Sequence, residues 1–549
     1  MIHDFLQYDS DAPIEGDVCV AGSGAAGLTI ARRLIGTAHK VIVLESGAFE
    51  YEDEAQALYR GGSIGHPYFD LDVTRLRYFG GSTNHWAGEC APLDPLDFEP
   101  KSWVPHSGWP ITRATLDPWY SLAHEVIGLG AYDYDHVAAT PEGTPYLDFA
   151  DDKLAHKLWR FNHPPNRFGE TFRDELDVAA NVEVWLHANV IEIETEPNDA
   201  HVTSFKIARL DGKTIRVMAR HFVLALGGLE NPRLLLNTDA INPAGLGNDH
   251  DLVGRYFADH LNTVAGQVAV TKSGWEDAYN YHELDTVRGR AKVRISPKAQ
   301  SARGLLNSAA QLGQIPTIRN SSQGYEALRA VRDDLKRGQF PDELGRRIID
   351  VTTDLGGIWG GLVEYFDNES VYIEIEGEQA PNPDSRVTLT DERDVLGLRR
   401  IQLDWRLSSI DRDSIVELVQ LIGEEVGRIG VGRVLMADWL LDSGDAWPDD
   451  LLGGHHHIGT TRMADVPSKG VVDADCRIFG IDNLFIGGSS VFPTSGVANP
   501  TLTIVALALR LADHIDGLAR HDRRRGAPHA IRGRQDRPPL HRGAGLGSP

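Results

Sequence analysis

A glycine-rich turn near the start of the chain limits its fold more than any other feature. The segment Gly22-Ser-Gly-Ala-Ala-Gly27 follows a short apolar run at 17–20 and precedes apolar residues at helical spacing over 28–35. A second apolar run, at 40–44, completes a β-α-β unit. The three glycines allow a tight turn, close approach of the backbone to a pyrophosphate, and close packing of helix on strand. The pattern predicts a Rossmann-like α/β domain that binds a dinucleotide.

An acidic residue completes this motif. Glu45 follows the second predicted strand, where a carboxylate can accept hydrogen bonds from ribose hydroxyls and disfavours a 2′-phosphate. The turn and the acid together predict a dinucleotide cofactor. They do not separate FAD from NAD.

Composition restricts the partners of the chain. Its 549 residues exceed a single compact core, so two domains are expected. Lys and Arg number 54 against 79 Asp and Glu, and the formal charge of −25 disfavours nucleic acid as a partner. No apolar stretch suits a membrane span, and the isolated Cys19, Cys90 and Cys476 form neither a disulfide framework nor a Cys-x-x-Cys motif. We expect a cytoplasmic protein without a membrane partner.

Further strand and helix signals follow the first unit. Strands are predicted at 182–186, 190–194 and 221–226, and the last of these leads into Gly227-Gly228 and a helix from Asn231. Alternating runs at 372–376 and 386–390 favour an antiparallel sheet between Gly266 and Leu440.

Two C-terminal segments carry a family resemblance. These are His456-His-Ile-Gly-Thr-Thr-Arg-Met463 and Ser489-Ser-Val-Phe-Pro-Thr-Ser-Gly-Val-Ala-Asn499-Pro-Thr. Together with Gly80-Gly-Ser-Thr-Asn-His-Trp86, the segment 226–235 and Val253-Gly-Arg-Tyr-Phe257, they resemble the glucose–methanol–choline (GMC) flavoprotein oxidoreductases. The similarity is strongest to the branch of pyranose oxidases and glycoside oxidases or dehydrogenases.

This resemblance implies a fold class and a division of the chain. The fold is α/β, with a Rossmann-like FAD-binding domain of the GMC and p-hydroxybenzoate hydroxylase type and an antiparallel-sheet substrate-binding domain. The FAD-binding domain is expected to be discontinuous, the substrate-binding domain and insertions to fill the intervening segments, and the C-terminus to be a disordered tail, because it is rich in Arg, Pro and Gly. The expected bounds are 1–90, 180–265 and 455–519 for the FAD-binding domain, 91–179 and 266–454 for the substrate-binding domain, and 520–549 for the tail.

The resemblance also implies the catalytic pair. Oxidation of an alcohol by hydride transfer needs a base for the hydroxyl proton, and histidine has a suitable pKa. A neutral amide can hold the oxygen so that the carbinol C–H points at the flavin N5. His456 and Asn499 match these roles, and asparagine at the second position favours sugars or glycosides. Asn499 also precedes Pro500 at a predicted helix start, where asparagine is a good N-cap.

The expected FAD contacts extend over the whole motif set. They are Gly22, Gly24, Ala26, Gly27, Glu45, Ser46, Gly81, Asn84, His85, Val190, Gly227, Gly488, Ser489, Asn499, Pro500 and Thr501. In similar pyranose oxidases the histidine matching His85 is bonded covalently to the flavin. Here Asn84 stands between Thr83 and His85, so both a covalent tether and a non-covalent neighbour remain open, and we expect the second. No metal site is expected from the run His455–His457.

The predicted function is oxidation of a secondary hydroxyl of a sugar or glycoside to a ketone, with O2 or another electron acceptor reoxidising the flavin. The alternatives are a GMC enzyme for a non-sugar alcohol, a flavin-containing lyase, and a flavin-binding protein without turnover. A homo-oligomer or a small partner subunit is compatible with the sequence.

Overall fold

The computed structural model describes residues 1–134, 144–284, 286–313, 370–442 and 447–524. The strands of these segments are β1 (Ile2–Asp4), β2 (Ile14–Glu15), β3 (Val18–Ala21), β4 (Val41–Leu44), β5 (Gly62–Gly65), β6 (Glu89–Cys90), β7 (Leu154–Phe161), β8 (Val182–Leu186), β9 (Asn189–Thr195), β10 (Val202–Ala208), β11 (Thr214–Met218), β12 (His221–Leu224), β13 (Leu261–Val270), β14 (His282–Leu284), β15 (Val287–Ile295), β16 (Ser308–Gly313), β17 (Ser370–Gly377), β18 (Arg386–Arg393), β19 (Arg399–Trp405), β20 (Gly432–Met436), β21 (Leu452–Gly453) and β22 (Leu484–Ile486). The helices are α1 (Ala25–Arg33), α2 (Asp53–Gln56), α3 (Pro95–Phe98), α4 (Arg113–Ile127), α5 (Phe168–Thr171), α6 (Arg173–Val178), α7 (Gly227–Asn237), α8 (Pro297–Arg303), α9 (Ser409–Ile429), α10 (Asp438–Leu441) and α11 (Thr501–Arg524).

A six-stranded parallel sheet forms one half of the molecule, in the order β1-β8-β4-β3-β12-β22. Strands β3, β4 and β12 are buried throughout, as continuous apolar runs require when helices cover both faces of a parallel sheet. The predicted β-α-β unit is confirmed as β3, α1 and β4. All these strands end at one edge of the sheet, so the segments that follow them meet there.

The helix after β12 begins earlier than predicted. We expected it from Asn231, but α7 begins at Gly227, and the Asn231 side chain accepts a hydrogen bond at 2.9 Å from the amide of Leu226, which directly precedes the helix. Pro232 lies in the second turn of this helix.

Antiparallel sheets form the other half, as predicted from the alternating runs. The larger sheet has nine strands on the path β20-β13-β17-β16-β15-β7-β6, with β14 and β21 attached at its side. A smaller sheet pairs β18 with β19, and β5 joins β19 in parallel. Helix α9 packs its apolar face on the larger sheet. This helix begins at a capping box of Ser408 and Asp411 and ends at Gly430, whose φ of 80° suits glycine.

Several helices and strands cross the expected bounds of the domains. Strand β13 starts at Leu261, before the expected change at 266, and β6, at the end of the first predicted segment, pairs with β7 of the large sheet. Helix α4, assigned to the substrate-binding domain, packs on α11, and the Tyr120 hydroxyl lies 2.9 Å from Thr503 Oγ1. Helix α11 continues to Arg524, past the predicted start of the tail at Arg520. The helical conformation extends beyond the last apolar residues of this helix. The rest of that tail lies outside the described residues.

None of the helices in the described segments is long and apolar enough to cross a bilayer.

Candidate active site

A cavity of about 680 Å³ lies at the carboxyl edge of the parallel sheet and extends to the large antiparallel sheet. Most of the predicted site residues line it. They are Gly22, Gly24, Ala26, Glu45, Ser46, Gly81, His85, Val190, Gly227, His456, Gly488, Ser489, Asn499, Pro500 and Thr501. The sheet topology explains the convergence, because the turns after β3, β4, β12 and β22 share this edge.

Gly27 and Asn84 contact protein rather than the cavity. A Cβ added at Gly27 would lie 1.9 Å from the Gly22 carbonyl oxygen, so this glycine lets α1 pack closely on the turn. The Asn84 side chain donates to the Phe79 carbonyl at 2.8 Å. Both residues therefore shape the cavity indirectly, through contacts with the protein atoms that surround it.

Three other predicted glycines leave open space where a side chain would stand. A Cβ added at Gly24, Gly227 or Gly488 would meet no protein atom within 4 Å. All three residues line the cavity, so their missing side chains make room for a ligand. The first turns of α1, α7 and α11 also line the cavity, and helix N-termini favour a pyrophosphate.

Buried arginine N–H groups without a hydrogen-bond partner in the described part of the chain also suit a pyrophosphate. Arg75 and Arg77 line the cavity, and Nε and Nη1 of Arg75 and Nε of Arg77 are buried without a hydrogen-bond partner among the described residues. Glu45 Oε2 accepts from the backbone and the hydroxyl of Ser23, and its Oε1 accepts from Gly47 N. The carboxylate is thus held at the cavity wall, where ribose hydroxyls would meet it. The residues present fit a dinucleotide cofactor of the FAD type.

Asp259 holds the backbone of the histidine segment. Its Oδ1 accepts hydrogen bonds from the amides of His456 at 2.8 Å, Gly454 at 3.0 Å and His260 at 2.7 Å. Its Oδ2 accepts from the Tyr68 hydroxyl at 2.5 Å. The sequence analysis missed Asp259, although it lies two residues before β13 and two residues after the Val253–Phe257 motif.

The His456 side chain lies against a second histidine. Its Nδ1 is 2.8 Å from Nδ1 of His260, and Nε2 of His260 is 2.9 Å from the Gly496 carbonyl oxygen. Burial, followed by the nearby His260, lowers the pKa of His456 well below 6.5. The imidazole of His456 is therefore neutral at pH 7 and available as a base.

His260, Glu376 and His456 form the one group of potential metal ligands within the described segments. Two nitrogens at 2.0–2.1 Å from a tetrahedral zinc would lie roughly 3.3 Å apart, whereas the two Nδ1 atoms are 2.8 Å apart. Lys292 Nζ also lies 2.5 Å from Glu376 Oε2. Both distances fit hydrogen bonds, and the cluster is better explained as a hydrogen-bonded chain than as a metal site.

The other two histidines of the run also line the cavity, but they have different neighbours. His455 has a φ of 58°, is exposed, and packs edge-on against Phe69. His457 is buried beside Tyr68 and Phe257. The three imidazoles of the run therefore have separate surroundings.

Asn499 is oriented by Trp159, which the sequence analysis also missed. The Trp159 indole N–H donates to Asn499 Oδ1 at 2.9 Å. Because this bond occupies the amide oxygen, the Nδ2 donor of Asn499 is left for the cavity. Asn499 can thus donate to a substrate oxygen without carrying charge.

Polar side chains of the large antiparallel sheet form another part of the cavity wall. They are Glu89, Asn262, Lys292, Gln311, Glu374 and Glu376. Lys292 Nζ contacts Glu89 at 2.9 Å and Glu376 at 2.5 Å and lies 4.5 Å from the centre of the Trp159 ring. Burial acts to lower the pKa of Lys292, but the two carboxylates outweigh it and raise the pKa, so the ammonium stays charged.

His85 lines the same cavity. Burial lowers its pKa to about 4, so its ring is neutral at pH 7. Its backbone N–H donates to the Ser82 carbonyl at 3.3 Å. A non-covalent relation to the flavin stays our prediction.

A parallel sheet with a cavity at its carboxyl edge that fits a dinucleotide, beside a half-buried neutral histidine, suits a flavin-dependent oxidoreductase. Residues 381–508 match the family model of the GMC oxidoreductases. A 2-methyl-1,2-propanediol dehydrogenase of Mycolicibacterium austroafricanum is 26% identical over 91% of this chain and 95% of its own length. A C-glycoside 3-oxidase of Microbacterium trichothecenolyticum is 36% identical over 24% of each chain.

The fold comparison agrees with the family match. The crystal structure of a formate oxidase superposes with a TM-score of 0.54 at 15% identity, covering 93% of this chain and 100% of that one. Residues 381–508 are thus similar to the GMC oxidoreductases, and the relatives that match most of the chain are named as oxidases and dehydrogenases.

The lowered pKa of His456 predicts a pH profile. Only the neutral imidazole accepts a proton, so the limiting rate of anaerobic flavin reduction should be flat above about pH 6.5 and fall in more acidic solution. The groups that set this pKa besides burial are His260, His455, His457 and Lys292, all of which lower it. Stopped-flow reduction at saturating substrate between pH 5 and 9 measures the profile. A midpoint above pH 7 would contradict the assignment of this base.

Proposed function

We propose that this protein oxidises a secondary hydroxyl of a sugar or glycoside to a ketone. One observation carries the proposal: a neutral base, an oriented amide donor and a wall of polar side chains face the same cavity. The base and the amide fit an alcohol, and the polar wall fits the other hydroxyls of a polyol.

The chain's own groups have separate tasks in this reaction. His456 Nε2 takes the hydroxyl proton, and Asn499 Nδ2 donates to the same oxygen as negative charge develops on it. The carbinol C–H electron pair leaves as hydride while the C=O bond forms. Bound FAD would supply the hydride acceptor, at N5. Both side chains are held by protein partners, His260 and Trp159, and so are oriented before substrate arrives.

The wall from the antiparallel sheet supports a polyhydroxylated substrate. Its amides, carboxylates and ammonium offer both donors and acceptors, which the several hydroxyls of a polyol can use and a purely apolar alcohol cannot. The local similarity to a C-glycoside 3-oxidase points to the same substrate class.

A second candidate is oxidation of a non-sugar alcohol. It is favoured by the match to a 2-methyl-1,2-propanediol dehydrogenase over nearly the whole chain. The catalytic pair would serve such a diol equally well. The two candidates therefore differ in whether the substrate forms hydrogen bonds with the polar wall.

A substrate panel separates these candidates. Purified holoprotein is mixed anaerobically with free monosaccharides, aryl glycosides and short aliphatic diols, and bleaching of the flavin is followed. We expect sugars or glycosides to reduce the flavin at least ten times more efficiently than the diols. Preference for the diols would support the second candidate, and the absence of bleaching by every carbinol would exclude both and favour a lyase or a non-catalytic flavoprotein. Repeating the experiment with oxygen separates oxidase from dehydrogenase.

A further inference from the structure

We propose that His260 is a positioning residue that holds His456 in the tautomer with a bare Nε2, and that the Gly496 carbonyl fixes His260 in turn. This inference deepens the proposed function, on which its catalytic consequence rests. It concerns a residue outside both C-terminal segments and outside the predicted catalytic pair.

The direction of the hydrogen bonds follows from one group that can only accept. The Gly496 carbonyl oxygen lies 2.9 Å from Nε2 of His260, so this nitrogen carries the proton. A neutral His260 then has a bare Nδ1. Nδ1 of His456, 2.8 Å away, must donate to it. The remaining nitrogen of His456, Nε2, is therefore left as an acceptor.

Two carboxylates lie close to His260. Glu376 Oε1 is 3.8 Å from Nδ1 of His260, and Asp259 Oδ1 accepts from the His260 backbone amide at 2.7 Å. Lys292 contacts the other oxygen of the Glu376 carboxylate and also Glu89. The ammonium of Lys292 thus lies beside the carboxylate that faces His260. His456 is the other titratable group in contact with this ring.

The tautomer decides whether His456 can act. With the proton on Nε2, the nitrogen left to accept would be Nδ1, which faces His260 rather than an incoming hydroxyl. A histidine without a fixed partner populates both tautomers and several ring orientations. Partners that orient a working histidine are typically worth 10–100-fold at metal centres, and we expect a similar factor here.

Two substitutions separate the two bonds of His260. His260→Asn keeps an oxygen acceptor at the position of Nδ1 and removes the donor to Gly496. His260→Gln places its amide near Nε2, where it can donate to Gly496, and removes the acceptor for His456. Both replacements are neutral and polar, so a general loss of packing should affect them alike. Flavin content and thermal unfolding of each variant show whether it folds.

Kinetics give the first readout, on holoenzyme with the best sugar of the panel. His260→Gln should lower the limiting rate of flavin reduction by about 10–100-fold with little change in the substrate dissociation constant, and His260→Asn should recover most of the rate. A parental rate in His260→Gln, or equal losses in both variants, would overturn the proposal.

The second readout needs no substrate. Protein labelled with 15N-histidine reports the tautomer of each neutral ring by NMR, and the His456 signals are assigned by their loss in His456→Asn. We expect the Nδ1–H tautomer for His456 in the parent and in His260→Asn, and its loss in His260→Gln. The Nε2–H tautomer in the parent would overturn the proposal. Should no carbinol reduce the parent flavin, the proposed function fails while this measurement still decides the role of His260.

Discussion

Replacing His456 by alanine should slow flavin reduction by at least about 10²–10⁴-fold, the usual contribution of a general base. Bound FAD should remain, because the imidazole contacts His260 rather than the glycine turns that line the cofactor side. Anaerobic stopped-flow measurement isolates this step from reoxidation. His250→Ala, at an exposed histidine outside the cavity, is the matched control and should behave as the parent.

Asn499 belongs to the same expected result. Asn499→Ala should slow reduction by about 10²-fold, because the substrate oxygen loses a donor that Trp159 holds in place. Since both residues serve one step, the double variant should be little slower than the slower single variant. Additive losses would mean that the two side chains act in separate steps. A parental rate in His456→Ala would place the base elsewhere, with His455 and His457 as the next candidates.

Replacing Gly24 by leucine should give colourless protein. The backbone at Gly24 has a φ of −76°, which any residue adopts, and an added Cβ meets no protein atom within 4 Å. The leucine side chain would therefore enter the space of the pyrophosphate without disturbing the fold. The measurement is the FAD content per chain after purification, together with the melting temperature of the apoprotein.

Gly517→Leu is the matched control for this substitution. Gly517 is exposed on α11, and a Cβ there also meets nothing within 4 Å. This variant should keep its flavin. Full flavin in Gly24→Leu would count against the turn as the pyrophosphate site, and loss of flavin in both variants would show a general effect of the added side chain.

Much of the fold follows from short-range signals in the sequence. The glycine turn, the two apolar runs and Glu45 lie within a single β-α-β unit, so a contiguous stretch of sequence contains the whole pattern. Alternation of apolar and polar residues likewise predicted the antiparallel strands. The expected domain bounds differ from the structure where a long-range contact sets the extent of an element. One example is Leu261, which pairs with Gly377 of β17 in the large sheet.

The residues of the candidate site also fall into two groups: those within a local sequence motif and those that only long-range contacts identify. His456, Asn499 and the turn glycines belong to motifs that are contiguous in sequence, so the resemblance could assign them. His260 lies 196 residues from His456, and Trp159 lies 340 residues from Asn499. No local pattern couples residues so far apart, because the contact exists only once both sheets are assembled. The sequence by itself determined the glycine turn and the candidate catalytic side chains. Only the tertiary structure decided how those side chains are oriented, since a hydrogen bond selects a tautomer and an amide direction from partners that the fold brings together.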